Sequence, residues 1–255
     1  MKIKNKIFLS FLIVSILSFF GCDHIHFNYK LKHSEVVEKK ISINKDNLVK
    51  VDNVNGFIKV STHDKNCVTV SAKKYSNKKK YLDLIKLYFD SDENGLHIYS
   101  KREKKRLKFR VNYTILVPNG LKKLNLHSTN GSIKVMGDLN NLDSNTTNGS
   151  IKVNGSFGKG KFRTTNGRVT VVQKNPLNDD LKIKTTNGSI RLTLNRDSNF
   201  KIKGRTTNGS ISCDFPVKIK KRITSSRING EVGDGKFYVS VSTTNGSIKI
   251  NMDQY

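Results

Sequence analysis

The sequence predicts an all-β solenoid whose coils of about 18–21 residues turn at Asn-Gly corners. Three observations predict it. First, one hexapeptide keeps returning. Thr-Thr-Asn-Gly-Ser-Ile stands at Thr146–Ile151, Thr185–Ile190, Thr206–Ile211 and Thr243–Ile248, with variants at Ser128–Ile133, Thr164–Val169 and Arg227–Val232. Its asparagines are Asn130, Asn148, Asn166, Asn187, Asn208, Asn229 and Asn245, spaced by 18, 18, 21, 21, 21 and 16 residues. Second, alternate positions on either side are apolar. Leu124, Leu142, Leu181, Ile202, Ile223 and Val239 stand six residues before the Asn, and Val135, Val153, Val171, Leu192, Cys213 and Ile250 stand five after it. That alternation is the period of half-buried strands. Third, the apolar parity switches across each Asn-Gly, so the chain must bend there. Asn and Gly both tolerate the positive φ that a tight bend uses.

An antiparallel meander with Asn-Gly hairpins satisfies the same alternation. It gives no reason for the same Thr-Thr before the turn and Ser after it. Stacked coils do give one: identical Thr, Asn and Ser side chains form ladders, each bonding its copy above and below.

The elements follow in chain order. Residues 1–21 read as a signal peptide. Lys2, Lys4 and Lys6 precede an apolar run from Ile7 to Phe20, which is shorter than the roughly 20 residues a spanning helix needs. Leu17-Ser-Phe-Phe-Gly-Cys22 resembles a bacterial lipoprotein signal, with Phe20 where a small residue is usual. The resemblance implies lipidation at Cys22 and a membrane partner through that anchor. Residues 22–35 are then a tether, in which His24, His26 and His33 are solvated rather than metal ligands. Residues 36–117 read as divergent coils: Val49, Val51, Asn55-Gly56, Ile58 and Val60 fit the repeat, and Tyr81–Phe89 fits one helical turn or a strand. Residues 118–255 are the regular repeats, ending in the short polar cap Asn251–Tyr255.

Three cysteines bound the redox chemistry. With Cys22 acylated, Cys67 and Cys213 remain. Cys213 takes an inward slot and alternation turns Cys67 away from Val68 and Val70, so both read as free thiols.

The formal charge is +27, and +24 without residues 1–21. A field of that size attracts anions. Candidate anion-binding residues are Lys101, Arg102, Lys104, Lys105 and Arg106, with Lys78, Lys79 and Lys80 as a further run, and Lys218, Lys220, Lys221 and Arg222. The chain has 37 Lys against 10 Arg, whereas phosphate readers lean towards Arg. That skew and the export signal argue against a nucleic-acid partner.

Val111-Asn-Tyr-Thr-Ile-Leu-Val-Pro118, followed by Asn-Gly-x-Ile-x-Val coils, resembles a bacterial β-strand-repeat family of unknown function whose members are named as candidate adhesins. The resemblance spans roughly residues 36–250. It implies a right-handed parallel β-helix-like domain at the cell envelope, and no established activity.

Catalytic motifs fail. Gly155–Lys161 begins like a phosphate-binding loop, but Phe162 stands where Ser or Thr is required and no helix pattern follows. Acids are sparse among the repeats, which argues against a polysaccharide-cleaving enzyme. No cofactor is expected. The expectation is a non-catalytic, lipid-anchored envelope protein acting as an adhesin or binding scaffold for an acidic glycan. The alternative is an envelope-stress or assembly component working through a protein partner.

Overall fold

The computed structural model describes residues 31–219 and 224–253. Two sheets of 10 and 11 strands make up the fold, and each regular coil lays one strand in each. Leu121–Asn130, Leu139–Asn148, Gly160–Asn166 and Leu181–Lys184 lie side by side in the larger sheet. Their continuations Ile133–Met136, Ile151–Gly155, Val169–Gln173 and Ile190–Leu194 lie side by side in the smaller one. Neighbouring coils pair in parallel with repeat positions matched: Ile133, Ile151, Val169, Ile190 and Ile248 form one file. Leu124, Leu142, Phe162, Ile183, Val153 and Leu192 are all buried in a continuous apolar core. Among the described residues, all strands and core residues fall between His33 and Met252.

The corners meet the expectation in part. No described Asn has positive φ, and neither do Gly131, Gly149, Gly167 and Gly188, whereas the corner glycines Gly56 (φ 113°) and Gly246 (φ 147°) do. At all of these corners glycine is also required by close approach. A Cβ on Gly149 would collide with the Gly131 carbonyl oxygen, and one on Gly167 with that of Gly149. The Thr side chains do not bond their copies either. Each buried Thr reaches across to the glycine carbonyl of the neighbouring coil: Thr146 to Gly131 at 2.9 Å, Thr164 to Gly149 at 2.8 Å, Thr185 to Gly167 at 3.0 Å. Among the described residues asparagine forms a continuous ladder, and serine bonds its copy at one step, Ser210 to Ser247 at 3.4 Å.

Spatial order departs from chain order at both ends. Leu48–Asn55 and Ile58–His63 form a coil, as the matches Val49–Leu124 and Ile58–Ile133 show. This coil sits between the Leu121 coil and the coil of Gly95–Arg102 and Phe109–Pro118. Outside it the sheets turn antiparallel. His33–Ser42 pairs Cys67–Ser76, which pairs Phe109–Pro118, and Ile85–Asp92 pairs Gly95–Arg102. Residues 36–117 are thus two coils plus an antiparallel cap. The Tyr81–Phe89 stretch is both things at once, a 3₁₀ turn at Lys79–Tyr81 followed by the strand from Ile85.

At the other end, the last coil is not last in space. Phe237–Ser242 lies between Leu181–Lys184 and Phe200–Arg205, and Ile248–Met252 lies between Ile190–Leu194 and Ile211–Cys213. The expected polar cap at Asn251 therefore belongs to an internal coil. The far edges are Ile211–Cys213 and Lys218–Ile219. The Arg227–Val232 copy of the motif is no coil at all: it runs antiparallel to Phe200–Arg205, setting Asn229 opposite Lys203. Asn229 is a strand residue and not a corner.

Candidate functional site

The asparagine column is continuous. Asn130 donates its side-chain amide to Asn55 at 3.0 Å, Asn148 to Asn130 at 2.8 Å, Asn166 to Asn148 at 2.8 Å and Asn187 to Asn166 at 2.7 Å. Asn245 then donates to Asn187, and Asn208 to Asn245, each at 2.7 Å. The column takes in Asn55, leaves out Asn229, and inserts Asn245 before Asn208. Its amides are spent on one another, so it is a register lock rather than a ligand site.

The outward faces carry the charge. On the smaller sheet, Lys59, Lys134, Lys152, Arg191 and Lys249 fall in one file, with Thr170 between Lys152 and Arg191. All five cations are exposed, and none forms an ion pair among the described residues. On the larger sheet two files run together. One holds Lys161, Lys182, Ser240 and Lys203, the other Arg163, Lys184, Ser242 and Arg205. Asp143 neutralises one end, at 3.2 Å from Lys161.

A different arrangement occupies one corner at the first end. The turns after Ser76 and after Arg102 lie together, because Ile85 pairs Arg102 and Ser76 pairs Phe109. The Glu103 N–H donates to the Leu84 carbonyl at 3.0 Å and ties the two turns. Three lysines from both runs surround one ring: Lys78 and Lys80 stand 5.9 Å, and Lys104 5.6 Å, from the centre of Tyr81. Cation–π attraction and the buried Leu82 and Leu107 hold this cluster in place. Lys101 stands 5.2 Å from each of Tyr88 and Tyr99, which stack at 4.9 Å.

Beside it on the larger sheet lies a polar group. Asp52 accepts from Lys50 at 2.9 Å and bonds His97 Nε2 at 2.6 Å, while the Tyr99 hydroxyl donates to Asp90 at 2.9 Å. Burial acts to raise the Asp52 carboxyl, but Lys50 and His97 together hold it below its ordinary value. A groove of about 330 Å³ runs past Lys50, Asp90, Asp92 and His97.

Sequence reasoning picked out the Lys78–Lys80 and Lys101–Arg106 runs separately. The structure brings them together around Tyr81. Lys218 is exposed on the far edge of the same sheet, apart from them. Lys220, Lys221, Arg222 and Cys22 lie outside the described residues. The repeat itself implies outward Lys and Arg arrayed along the coils, but which of them share a file is not readable from the sequence, because the members are scattered and only the coil register aligns them. Cys67 and Cys213 are free. Cys67 is buried rather than outward, since it opens its strand next to Val68 with both side chains covered. Cys213 is only partly covered, and that burial still pushes its thiol up, with Asp214 adding to the shift.

A model of the Toastrack DUF4097 family matches residues 24–251. No curated protein matches significantly. Among solved structures, a candidate cell adhesion protein from Clostridium sporogenes is similar with a TM-score of 0.49 and 11% identity, over 87% of this chain and 100% of that one. A candidate adhesin from Bacteroides fragilis gives 0.40 and 12%, over 85% and 97%. A candidate lipid-binding protein from Parabacteroides distasonis gives 0.38 and 13%, over 86% and 97%. Likenesses this distant carry no functional argument. The family match spans both ends of the coil stack, and on it the chain belongs to the Toastrack DUF4097 family.

Proposed function

We propose that this chain is a non-catalytic binding scaffold of a bacterial cell envelope, tethered to a membrane through a lipidated Cys22, whose cationic files hold an acidic glycan in an adhesin-like role. The observation that carries the reading is the single file Lys59, Lys134, Lys152, Arg191 and Lys249, unpaired and in register. One exposed Lys holds an anion weakly. Cations repeated at about 4.8 Å steps engage a linear polyanion together, and each contact raises the effective concentration for the next. Right-handed winding, the hand of nearly all parallel β crossovers, belongs to the same proposal. The Asp52–His97 pair supports no catalytic reading, since no hydroxyl or thiol bonds His97 among the described residues.

Binding of polygalacturonate, with uncharged dextran as control, tests the surface. Affinity is expected to fall steeply from low to physiological salt, because exposed charges are screened within about 8 Å at 0.15 M. The Lys134→Gln/Lys152→Gln/Arg191→Gln variant is expected to bind several-fold more weakly. Binding that ignores salt, or that dextran matches, overturns the reading. The anchor is checked separately: labelled palmitate should enter the wild-type chain and not Cys22→Ser.

A further inference from the structure

We infer that the corner formed by Lys78–Tyr81 and Glu103–Arg106 is a docking surface for an anionic lipid bilayer, distinct from the files on the sheet faces. Three features point there. The segment Ser71–Arg110 holds 13 Lys and Arg against 5 Asp and Glu, and the fold gathers much of that excess at this corner. Lys78, Lys79, Lys80, Lys104, Lys105 and Arg106 are all exposed. None of these six forms an ion pair among the described residues; the nearby acids are Glu103, which pairs with Lys86 at 4.0 Å, and Asp83, two residues after Tyr81.

The second feature is the half-buried Tyr81 at the centre. A phenol ringed by lysine stems suits a membrane interface, where aromatic rings sit at headgroup level and lysines reach phosphates with their apolar stems against the ring. A soluble polyanion needs no such ring. The sheet-face file Lys134, Lys152, Arg191 and Lys249 shows no ring contact with any of its cations among the described residues.

The third feature is where the chain joins the fold. His33 pairs Ser76, which pairs Phe109, so the first strand starts at the same corner. Cys22 to Lys32 is 11 residues, with a reach of at most about 40 Å when fully extended. An anchor at Cys22 therefore keeps the start of the first strand, and this corner with it, within that reach of the bilayer, while the far end of the array is held less closely. That clause rests on the anchor proposed above, while the charge and the ring do not. Docked this way, the corner would seat one end of the array on the lipid and leave the files free.

The test uses a chain beginning at Leu31, which keeps every described strand and core residue. It is sedimented with vesicles of equal parts phosphatidylglycerol and phosphatidylcholine, and with pure phosphatidylcholine. The wild type is expected to bind the anionic vesicles alone. Lys80→Gln/Lys104→Gln/Lys105→Gln/Arg106→Gln should bind them at least about 10-fold more weakly. The charge-matched Lys134→Gln/Lys152→Gln/Arg191→Gln/Lys249→Gln should bind vesicles nearly as wild type while losing polygalacturonate. Equal losses in both variants mean net charge alone and overturn the proposal, as does indifference to phosphatidylglycerol. The reciprocal pattern also separates failure here from failure of the glycan reading. An environment-sensitive dye on Lys105→Cys gives an independent measure: it should blue-shift on anionic vesicles, and one on Lys152→Cys should not. An unmoved Lys105→Cys dye overturns the docking geometry even where the multiple variants misfold.

Discussion

Within each Thr-Thr-Asn-Gly corner the residues divide the work. Gly149 lets two coils approach, because no Cβ fits beside the Gly131 carbonyl. Thr164, which is buried, supplies the hydrogen bond that the Gly149 carbonyl would otherwise lack. Asn148 sits outside in water, where its amide bonds compete with solvent. The expected order of damage follows. Gly149→Ala should cost about 1–3 kcal/mol through overpacking, and Thr164→Val about 1–3 kcal/mol through an unpaired buried carbonyl. Asn148→Ala should cost under about 1 kcal/mol. Urea unfolding of the three variants checks the ranking, and an Asn variant worse than the Gly variant would refute it. Asp52 gives the acid response. Its folded carboxyl is held below the ordinary 3.8, so its contribution is complete above about pH 4 and disappears as pH falls through the folded value. Asp52→Asn should flatten the loss of stability on that acid limb, measured by urea midpoints from neutral pH downward.

At the scale of elements, the inward positions of the regular coils were legible from alternation alone: Leu142, Val153, Ile183 and Ile250 all lie in the core. Which coil touches which was not legible. Period-2 alternation is the same in parallel and antiparallel strands, so Arg227-Ile-Asn-Gly-Glu-Val read as a corner while folding as a straight antiparallel strand. Nor does a repeat spacing reveal that Asn245 stacks on Asn187, 58 residues back, ahead of Asn208. Order along the chain is not order in space at either end. The consequence is measurable. A chain ending at Lys236 loses an interior coil with Val239, Val241, Ile248 and Ile250, all buried. At roughly 1.5–3 kcal/mol each that is about 6–12 kcal/mol before relaxation, comparable with the whole stability of a domain. No cooperative thermal transition is expected for it by circular dichroism. A clean melt near that of the full chain would contradict the intercalated order.

Over the whole molecule, the ends of the stack are blunted differently. The far edges are strands of three and two residues, Ile211–Cys213 and Lys218–Ile219. The near edges, His33–Ser42 and Ile85–Asp92, are longer but carry charges, Glu35, Glu38, Lys39 and Lys40 on the first and Lys86, Asp90 and Asp92 on the second. Short or charged edges resist strand addition by other chains. The candidate sites share one logic at this scale. Runs such as Lys104-Lys105-Arg106 announce themselves in the sequence, whereas the Lys134–Lys152–Arg191 file exists only once the coils are in register.

The asparagine column also bears on chemical ageing. Asn followed by Gly ordinarily loses its side-chain amide quickly, because the next backbone nitrogen closes on the side-chain carbon to form a cyclic imide. Here that nitrogen is occupied. The Gly149, Gly167, Gly188 and Gly246 N–H groups donate to the backbone carbonyls of Asn166, Asn187, Asn245 and Asn208 in the neighbouring coil at 2.9–3.0 Å. The Asn amides are themselves held by their neighbours. Asn208 closes the column, and among the described residues no further asparagine donates to its side chain. Mass spectrometry of the folded chain kept at mildly alkaline pH should find Asn208 converted first and Asn148 and Asn166 last, with the differences erased in urea. The stack that sets the register thereby sets a lifetime, and wear starts from its far end.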